Sequence, residues 1–128
     1  MANFTGTAAN EIFNGTAFDD TAQGNGGNDT LQLGASGLAT IVGYAHGQDH
    51  FSLDDAIFTQ LGAPGTLSAG AFVLGTAAFD ANDRILFDSA SGNVSYDADG
   101  SGAGAAVVFA TIQNLLGGAL DQTDFIIV

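Results

Sequence analysis

The sequence predicts an all-β, single-domain protein in which short turn-and-strand units stack on one another and antiparallel strands close the stack. Three observations lead to this prediction. Glycine, asparagine and aspartate recur in the first half at a spacing of nine residues, with a short apolar segment after each cluster. Two alternating segments later flank the turn-forming letters "SASG". The acids are almost all aspartate, which suits turns rather than helices.

The charge balance excludes several classes of partner. The 128 residues carry 14 acidic side chains and one base, Arg84, for a formal net charge of -13. Nucleic acids and anionic membranes are bound through Lys and Arg, so we expect neither as a partner. Apolar runs such as "AAVVFA" are too short to span a bilayer, and no basic n-region of an export signal precedes Arg84. The absence of cysteine excludes thiolate metal sites.

The N-terminal elements follow from a repeat. Glycines 6, 15 and 24 align at period nine, and two more units follow after slips of one residue each. The five units are "GTAANEIFN", "GTAFDDTAQ", "GNGGNDTLQ", "GASGLATIV" and "YAHGQDHFS". The acid position holds, in order, Glu11, Asp20, Asp29, Ala39 and Asp49. We therefore predict five turns, one of which is close to a consensus and one of which lacks its acid.

Each unit has a physical logic. Its glycines let the backbone adopt positive φ and turn its carbonyls toward one point, and its last three residues alternate like a short strand. A nine-residue unit cannot bury a face alone, so the units must stack and bring equivalent turns together. Stacked carboxylates repel unless a cation lies between them. Ca²⁺ fits, because it accepts 6–8 oxygen ligands from carboxylates and backbone carbonyls.

The third unit carries a family resemblance. "GNGGNDTLQ" matches the nonapeptide G-G-x-G-x-D-x-U-x with Asn25 at the second position, so the chain resembles the C-terminal region of RTX, or haemolysin-type calcium-binding, proteins. The resemblance implies a short parallel β-roll over residues 3–52, in which two nonapeptides form one coil, followed by an antiparallel β capping region over residues 53–128. Ca²⁺ is the implied cofactor.

The resemblance also implies the calcium ligands. Turns on one side of a roll are two repeats apart, so Glu11, Asp29 and Asp49 would line one side. Asp20 would line the other side and face Ala39, which makes it a poor holder of an ion. The turn of the best unit contributes the remaining candidates, which are Gly24, Asn25, Gly26 and Gly27.

The predicted capping region begins with a short helix near Asp54 and continues as loops after Gly62. "RILFD" and "NVSYD" alternate at period two around "SASG" and predict a hairpin, and "AVVFATI" predicts a third strand. The stretch from Asp83 to Leu115 is similar to the segment that closes the roll in many RTX proteins. We therefore expect the capping region to close one end of the coil.

The terminal letters "DQTDFIIV" resemble the uncleaved C-terminal signal of type I secretion substrates. The resemblance implies a bacterial protein that is secreted to the exterior or the cell surface, with the type I secretion apparatus as a partner. The simpler alternative is a final edge strand of the cap, and one segment can serve both purposes.

Two further motifs have rival explanations. "DADGSG" places Asp97 and Asp99 at the first and third positions of an EF-hand-like loop, but Val108 stands where that loop needs its bidentate Glu, and a hairpin turn explains the same letters. His46 and His50 have the spacing of a zinc pair on a helix. Gly47 and the strand-like register argue against a helix there, so Asp49 is better explained as the acid of the fifth unit.

These observations predict a non-catalytic calcium-binding module that folds on Ca²⁺ binding outside the cell. No serine lies in a nucleophile elbow, and there is no lysine for a phosphate-binding loop, so we expect no enzyme activity. Two alternatives remain open. One is a carbohydrate-binding module, for a neutral glycan because the single base disfavours a polyanion. The other is an adhesive or surface-layer module in which calcium links neighbouring copies.

Overall fold

The computed structural model describes residues 3–7, 9–14, 20–23, 26–32, 38–102, 104 and 106–128. The fold is all-β, as predicted. Its first strands are β1 (Asn3–Thr5), β2 (Ile12–Asn14), β3 (Asp20–Gln23), β4 (Thr30–Gln32), β5 (Ala39–Val42) and β6 (His50–Leu53). The later strands are β7 (Gly65–Thr66), β8 (Phe72–Leu74), β9 (Ile85–Asp88), β10 (Asn93–Tyr96), β11 (Val107–Gln113) and β12 (Phe125–Ile127).

Helical structure in the described part of the chain is confined to short segments. Two 3-10 helices, Ala69–Ala71 and Gln122–Asp124, lead directly into β8 and β12. None of the helices formed by the described residues has the length and apolar character needed to cross a membrane. The short helix expected near Asp54 is a single turn instead, in which the Phe58 N–H donates to the Asp54 carbonyl at 2.8 Å.

The strands of the repeats pair in parallel and lie in two sheets. One sheet has the order β1-β3-β5-β11-β10-β9-β8, and the other has the order β2-β4-β6-β12-β7. Each coil therefore contributes one strand to each sheet, which is the arrangement of the predicted parallel roll. The pairs β1/β3, β3/β5, β2/β4 and β4/β6 are all parallel.

The strand register confirms the two slips in the repeat. Glu11 and Asp29, in the first two coils, are 18 residues apart, which is two nonapeptides. Asp29 and Asp49, in the second and third coils, are 20 residues apart, because both one-residue slips fall between them. The slips therefore lengthen the third coil, and the strands on either side of them remain aligned.

The last two strands continue the roll. β11 pairs in parallel with β5, placing Ile112 beside Ile41, and β12 pairs in parallel with β6, placing Phe125 beside Phe51. These strands form a fourth coil. β12 is an interior strand between β6 and β7, where the simpler explanation of the terminal letters expected an edge strand of the cap.

Residues 54–106 form an insertion between the third and fourth coils. The predicted hairpin is present: β9 and β10 pair antiparallel, and β10 pairs antiparallel with β11. Gly92 in its turn has φ +79°, and a Cβ there would lie 2.2 Å from the Ile112 carbonyl oxygen, so this close approach requires glycine. Strands β10, β9 and β8 of the insertion thereby extend the seven-stranded sheet beyond β11.

The core lies between the two sheets and includes a stack of aromatic rings. The ring of Phe51 lies between Tyr44 and Phe125, with centroid distances of 4.8 Å and 5.2 Å, and all three residues are buried. Offset stacking of this kind adds to the apolar area that each ring removes from water. The fourth coil is therefore joined to the third through the core as well as through the backbone.

Candidate functional site

In the first three coils, the turns from β1 to β2, from β3 to β4 and from β5 to β6 are stacked on one side of the roll. The backbone N–H of Glu11 donates to Asp29 Oδ1 at 3.0 Å, and the N–H of Asp29 donates to Asp49 Oδ1 at 2.9 Å. The carboxylates of Asp29 and Asp49 thus each accept a hydrogen bond from the backbone of the preceding coil. The structure brings Glu11, Asp29 and Asp49 together in one column, which we call the acidic column.

Two members of the acidic column also close their own turns. Glu11 Oε1 accepts from the Thr7 N–H at 2.6 Å, and Asp49 Oδ2 accepts from the Ala45 N–H at 2.8 Å. Both bonds span four residues. These carboxylates stabilise turn geometry through charge-assisted hydrogen bonds, which are stronger than neutral ones. Their remaining lone pairs are available to a cation.

Asp29 has the most perturbed environment in the acidic column. Its side chain is 3% exposed, and Oδ2 has no hydrogen-bond partner among the described residues. Burial raises the pKa of Asp29 above its usual 3.8; the Glu11 N–H opposes this shift, and the charges of Asp49 and Glu11 add to it. A buried carboxylate oxygen between two like charges is where a bound cation relieves the most unfavourable electrostatic energy.

The glycines of the best repeat have the geometry that its turn needs. Gly26 and Gly27 have φ +118° and +79°. Backbone at positive φ aims successive carbonyls in directions that an L-residue rarely allows, which suits a loop that wraps an ion. Gly24 and Asn25, the other predicted ligands in this turn, lie outside the described residues.

The opposite side of the roll is different. Asp20 is paired with Ala39 across β3 and β5, so the residue aligned with this acid in the next coil carries no charge. The turns on that side, residues 15–19 and 33–37, lie outside the described residues. The register therefore agrees with the expectation that Asp20 faces Ala39.

Asp97 and Asp99 lie together in the loop after β10. Asp97 is 5% exposed, and its pKa is raised first by burial and then by its side-chain hydrogen bond to Asp99, in which the Asp99 carboxylate accepts. The pKa of Asp99 is lowered, first by the Gly104 N–H, which donates to its Oδ2 at 2.7 Å. The Asp99 N–H also donates to Asp97 Oδ1 at 3.3 Å, so the two carboxyl groups lie close enough for a cation to contact both. Asp97, Ser101 and Gly102 also line an adjoining cavity of about 310 Å³.

The sequence did not reveal a polar cluster that forms where the fourth coil meets the third. Asp124 is 1% exposed, and its Oδ1 lies 2.9 Å from the Tyr44 hydroxyl. That hydroxyl also lies 2.7 Å from the Asp49 carbonyl oxygen, and burial together with the Asp124 charge raises its pKa. Tyr44 thereby links Asp124 to the acidic column. The one available sequence signal was the acid that precedes the terminal apolar run.

Comparison with known proteins matches part of the chain to a repeat family. Residues 5–36 match a family model described as the RTX calcium-binding nonapeptide repeat, in four copies. These residues include Glu11, Asp20 and Asp29. No curated protein and no solved structure matches the chain.

Proposed function

Because this chain is an RTX repeat protein and such repeats bind calcium, we propose that Ca²⁺ binds along the acidic column with Asp29 as its central ligand. The observation that carries the proposal is the unpartnered, buried Oδ2 of Asp29. Glu11 and Asp49 flank it with further carboxylate oxygens. Gly26 and Gly27 in the turn of the best repeat add backbone carbonyls, which suits an ion that takes 6–8 oxygens in irregular geometry.

Calcium binding is coupled to folding in this proposal. Without a cation, the column holds like charges at close range in a chain whose formal net charge is -13. Self-repulsion favours the open chain, so the free energy of binding becomes free energy of folding. Extracellular calcium modules bind in the range of about 10⁻⁴–10⁻³ M, so the chain would fold where calcium is at that level.

Two sites of lower affinity complete the proposal. Asp97 and Asp99 form a second site in the loop after β10, supported by the burial of Asp97 and by the closeness of the two acids, since the Asp99 N–H donates to Asp97 Oδ1. Asp20 forms a weak site on the opposite side of the roll, because its partner across the strands is Ala39. We expect both to contribute less to folding than the acidic column.

The proposed role is non-catalytic and extracellular. The acidic column consists of carboxylates bonded to backbone N–H groups, which suits ligands better than general acids or bases. The terminal segment resembles a type I secretion signal, and residues 125–127 of it form the interior strand β12. The secretion apparatus would therefore recognise this segment before it folds. Export as an open chain, followed by calcium-driven folding, fits that requirement.

A calcium titration followed by far-ultraviolet circular dichroism tests the proposal. The full chain is stripped of calcium and titrated to about ten millimolar, above the range of extracellular modules. We expect a transition from coil to β-structure, and magnesium at the same concentration serves as the control because it demands a tighter octahedral site. A chain that is fully folded without calcium contradicts the coupling.

One observation favours a neutral glycan as a second candidate partner. Arg84, the only basic residue of the sequence, lines a cavity of about 300 Å³ together with Gln60, Ser68 and Asn82. Its Nη1 is buried and has no hydrogen-bond partner among the described residues. A few convergent polar groups in a concavity are typical of a small-ligand site. Retention on a glycan array that Arg84→Ala abolishes would support this candidate, whereas calcium-dependent growth in particle size would support adhesion between copies.

A further inference from the structure

His46 lies in the turn of the third coil and contacts two carboxylates in the turn of the fourth coil. Its Nδ1 is 2.7 Å from Asp124 Oδ2, and its Nε2 is 3.8 Å from Asp121 Oδ2. Within the described residues, these three side chains form the single group of histidine and acidic ligands whose atoms lie within 4.8 Å of one another. His50, the other histidine, is not part of it.

The hydrogen bonds around the group fix which atoms remain free. Asp124 Oδ2 accepts from the Asp121 N–H at 2.9 Å, so this carboxylate acts as an acceptor and its bond to His46 places a hydrogen on Nδ1. In the neutral imidazole, Nε2 then carries the lone pair. Asp121 Oδ1 accepts from both the N–H and the hydroxyl of Thr123, which leaves Asp121 Oδ2 facing Nε2.

When the imidazole is neutral, two acceptor atoms therefore face each other across 3.8 Å. This separation is too long for a hydrogen bond, and two lone pairs attract only through a cation between them. Two ligand atoms that each lie about 2.0–2.2 Å from one zinc ion are roughly 3.3–3.6 Å apart at the tetrahedral angle, so Nε2 and Oδ2 need to approach by only a few tenths of an ångström to share an ion. The side chains of His46 and Asp121 are 23% and 46% exposed, so an ion can enter and keep water in its other positions.

We propose that His46 Nε2 and Asp121 Oδ2 bind a divalent transition-metal ion such as Zn²⁺, with Asp124 as the residue that positions the imidazole. A carboxylate that accepts the other ring N–H is the usual support of a metal-bound histidine. The mixed nitrogen and oxygen donors select a zinc-like ion over Ca²⁺, which prefers oxygen alone. The site is thus separate in both residues and chemistry from the acidic column.

The position of the site gives the ion a structural role. His46 belongs to the third coil and Asp121 to the fourth, so one ion joins the closing coil to the repeats. A ligand that binds the folded chain and not the unfolded chain stabilises the fold. The free energy of unfolding then increases with the logarithm of the ligand concentration. Zn²⁺ therefore stabilises the attachment of β12 to β6.

Calorimetric titration of ZnCl₂ into the full chain, held in saturating Ca²⁺, tests the site. His46→Asn is the informative variant, because its side-chain amide can still donate to Asp124 while Nε2 is removed. Asp121→Asn keeps Oδ1 as the acceptor for Thr123 and neutralises Oδ2. His50→Asn is the matched control. We expect zinc affinity to fall at least about tenfold in the first two variants and to stay unchanged in the control.

The outcomes separate clearly. Absence of zinc binding in the unaltered chain, or binding that survives His46→Asn, overturns the site, and so does a loss in His50→Asn equal to that in His46→Asn. The melting temperature in Ca²⁺ should rise with Zn²⁺ for the unaltered chain and not for Asp121→Asn. Calcium-dependent dichroism of His46→Asn should match that of the unaltered chain, so failure of the zinc site leaves the calcium proposal standing.

Discussion

The backbone N–H of Asp29 donates to the carboxylate of Asp49 in the following coil at 2.9 Å, while the carboxylate of Asp29 itself accepts from the N–H of Glu11 in the preceding coil. Asp29 and Asp49 therefore each hold the preceding coil through one carboxylate oxygen, whereas the Glu11 carboxylate accepts from the Thr7 N–H of its own turn. The carboxylates of Asp29 and Asp49 thus link adjacent coils, and they are also the side chains at which we propose that calcium binds.

Asp29→Ala is expected to weaken calcium-coupled folding more than Asp20→Ala does. Asp29 has charged neighbours in the adjacent coils, whereas Asp20 is aligned with Ala39. We expect the calcium midpoint of Asp29→Ala to rise by about tenfold or more, which corresponds to roughly 1.4 kcal/mol. Circular dichroism during calcium titration measures both midpoints. Equal shifts in the two variants mean that the two-sided assignment of the repeats is wrong.

Protonation of Asp29 at low pH is expected to substitute in part for calcium binding at this residue. The raised pKa means that the folded, calcium-free chain binds a proton at Asp29 more tightly than the open chain does. Its contribution to stability is therefore present at low pH and is lost as pH rises through the window above 3.8. Lowering the pH of calcium-free protein from about 7 to about 4.5 should increase β-structure in dichroism.

Asp29→Asn is the control for this pH effect, because an amide resembles the protonated acid and does not titrate. Its dichroism should change less over the same interval than that of the unaltered chain. A pH response of the same size in both proteins assigns the effect to other carboxylates, of which Asp97 is the first to examine because its pKa is also raised by burial.

Asp97→Asn is expected to remove one bound calcium ion and to leave the acidic column intact. Replacing a buried charge by an amide of similar shape costs little stability when no ion is bound. The number of ions per chain, measured by calorimetric titration of CaCl₂, should fall by one. An unchanged number of ions shows that the "DADGSG" segment is a structural turn, as the alternative explanation of its letters holds.

Phe125→Ala is expected to destabilise the whole roll. Phe125 is fully buried and stacks on Phe51, and removal of a buried phenylalanine side chain typically costs about 3–5 kcal/mol. Val128→Ala is the control, since Val128 is half exposed. Urea unfolding in calcium measures both. A loss below about 1 kcal/mol for Phe125→Ala contradicts the attachment of the fourth coil to the repeats.

Gly92→Ala and Gly70→Ala form a matched pair in the insertion. A methyl group at Gly92 meets the Ile112 carbonyl oxygen at a backbone φ of +79°, whereas at Gly70 the nearest of the neighbouring atoms considered, Ser68 Oγ, is 4.0 Å away. We expect Gly92→Ala to lower the melting temperature by several degrees, which corresponds to more than about 1 kcal/mol, and Gly70→Ala to have little effect. Comparable melting temperatures contradict the close contact between this turn and β11.

The sequence predicted the parts of the fold that have a local signal. The nine-residue period, with its two slips, gave the register of β1 to β6, and the letters around "SASG" gave the hairpin of β9 and β10. The fourth coil has no such signal, because the turn between β11 and β12 has glycines and acids but not at the nonapeptide spacing: after Gly117 and Gly118, Leu120 and Gln122 stand where the third glycine and the acid belong. Pairing of Phe125 with Phe51 depends on contacts across the insertion, which no periodicity records.

The candidate sites also differ in whether a local signal in the sequence predicts them. The alignment of Glu11, Asp29 and Asp49 followed from the period together with the resemblance to RTX proteins, which implies two nonapeptides in each coil. The group of His46, Asp121 and Asp124 did not, because its members come from segments that are distant in sequence. Spacing within "HGQDH" offered His50 as a partner of His46, a pair that the sequence analysis disfavoured, and the structure places carboxylates of the fourth coil beside His46.

The insertion of residues 54–106 between two consecutive coils has an entropic consequence. Closing a chain loop costs free energy that grows only with the logarithm of its length. Joining β12 to β6 across the insertion therefore costs roughly 1 kcal/mol more than joining two coils through a turn of one repeat pair. That small difference makes the junction after Leu53 a permissive place for added sequence, so the roll can carry segments of very different length there while its last strand still completes the sheet.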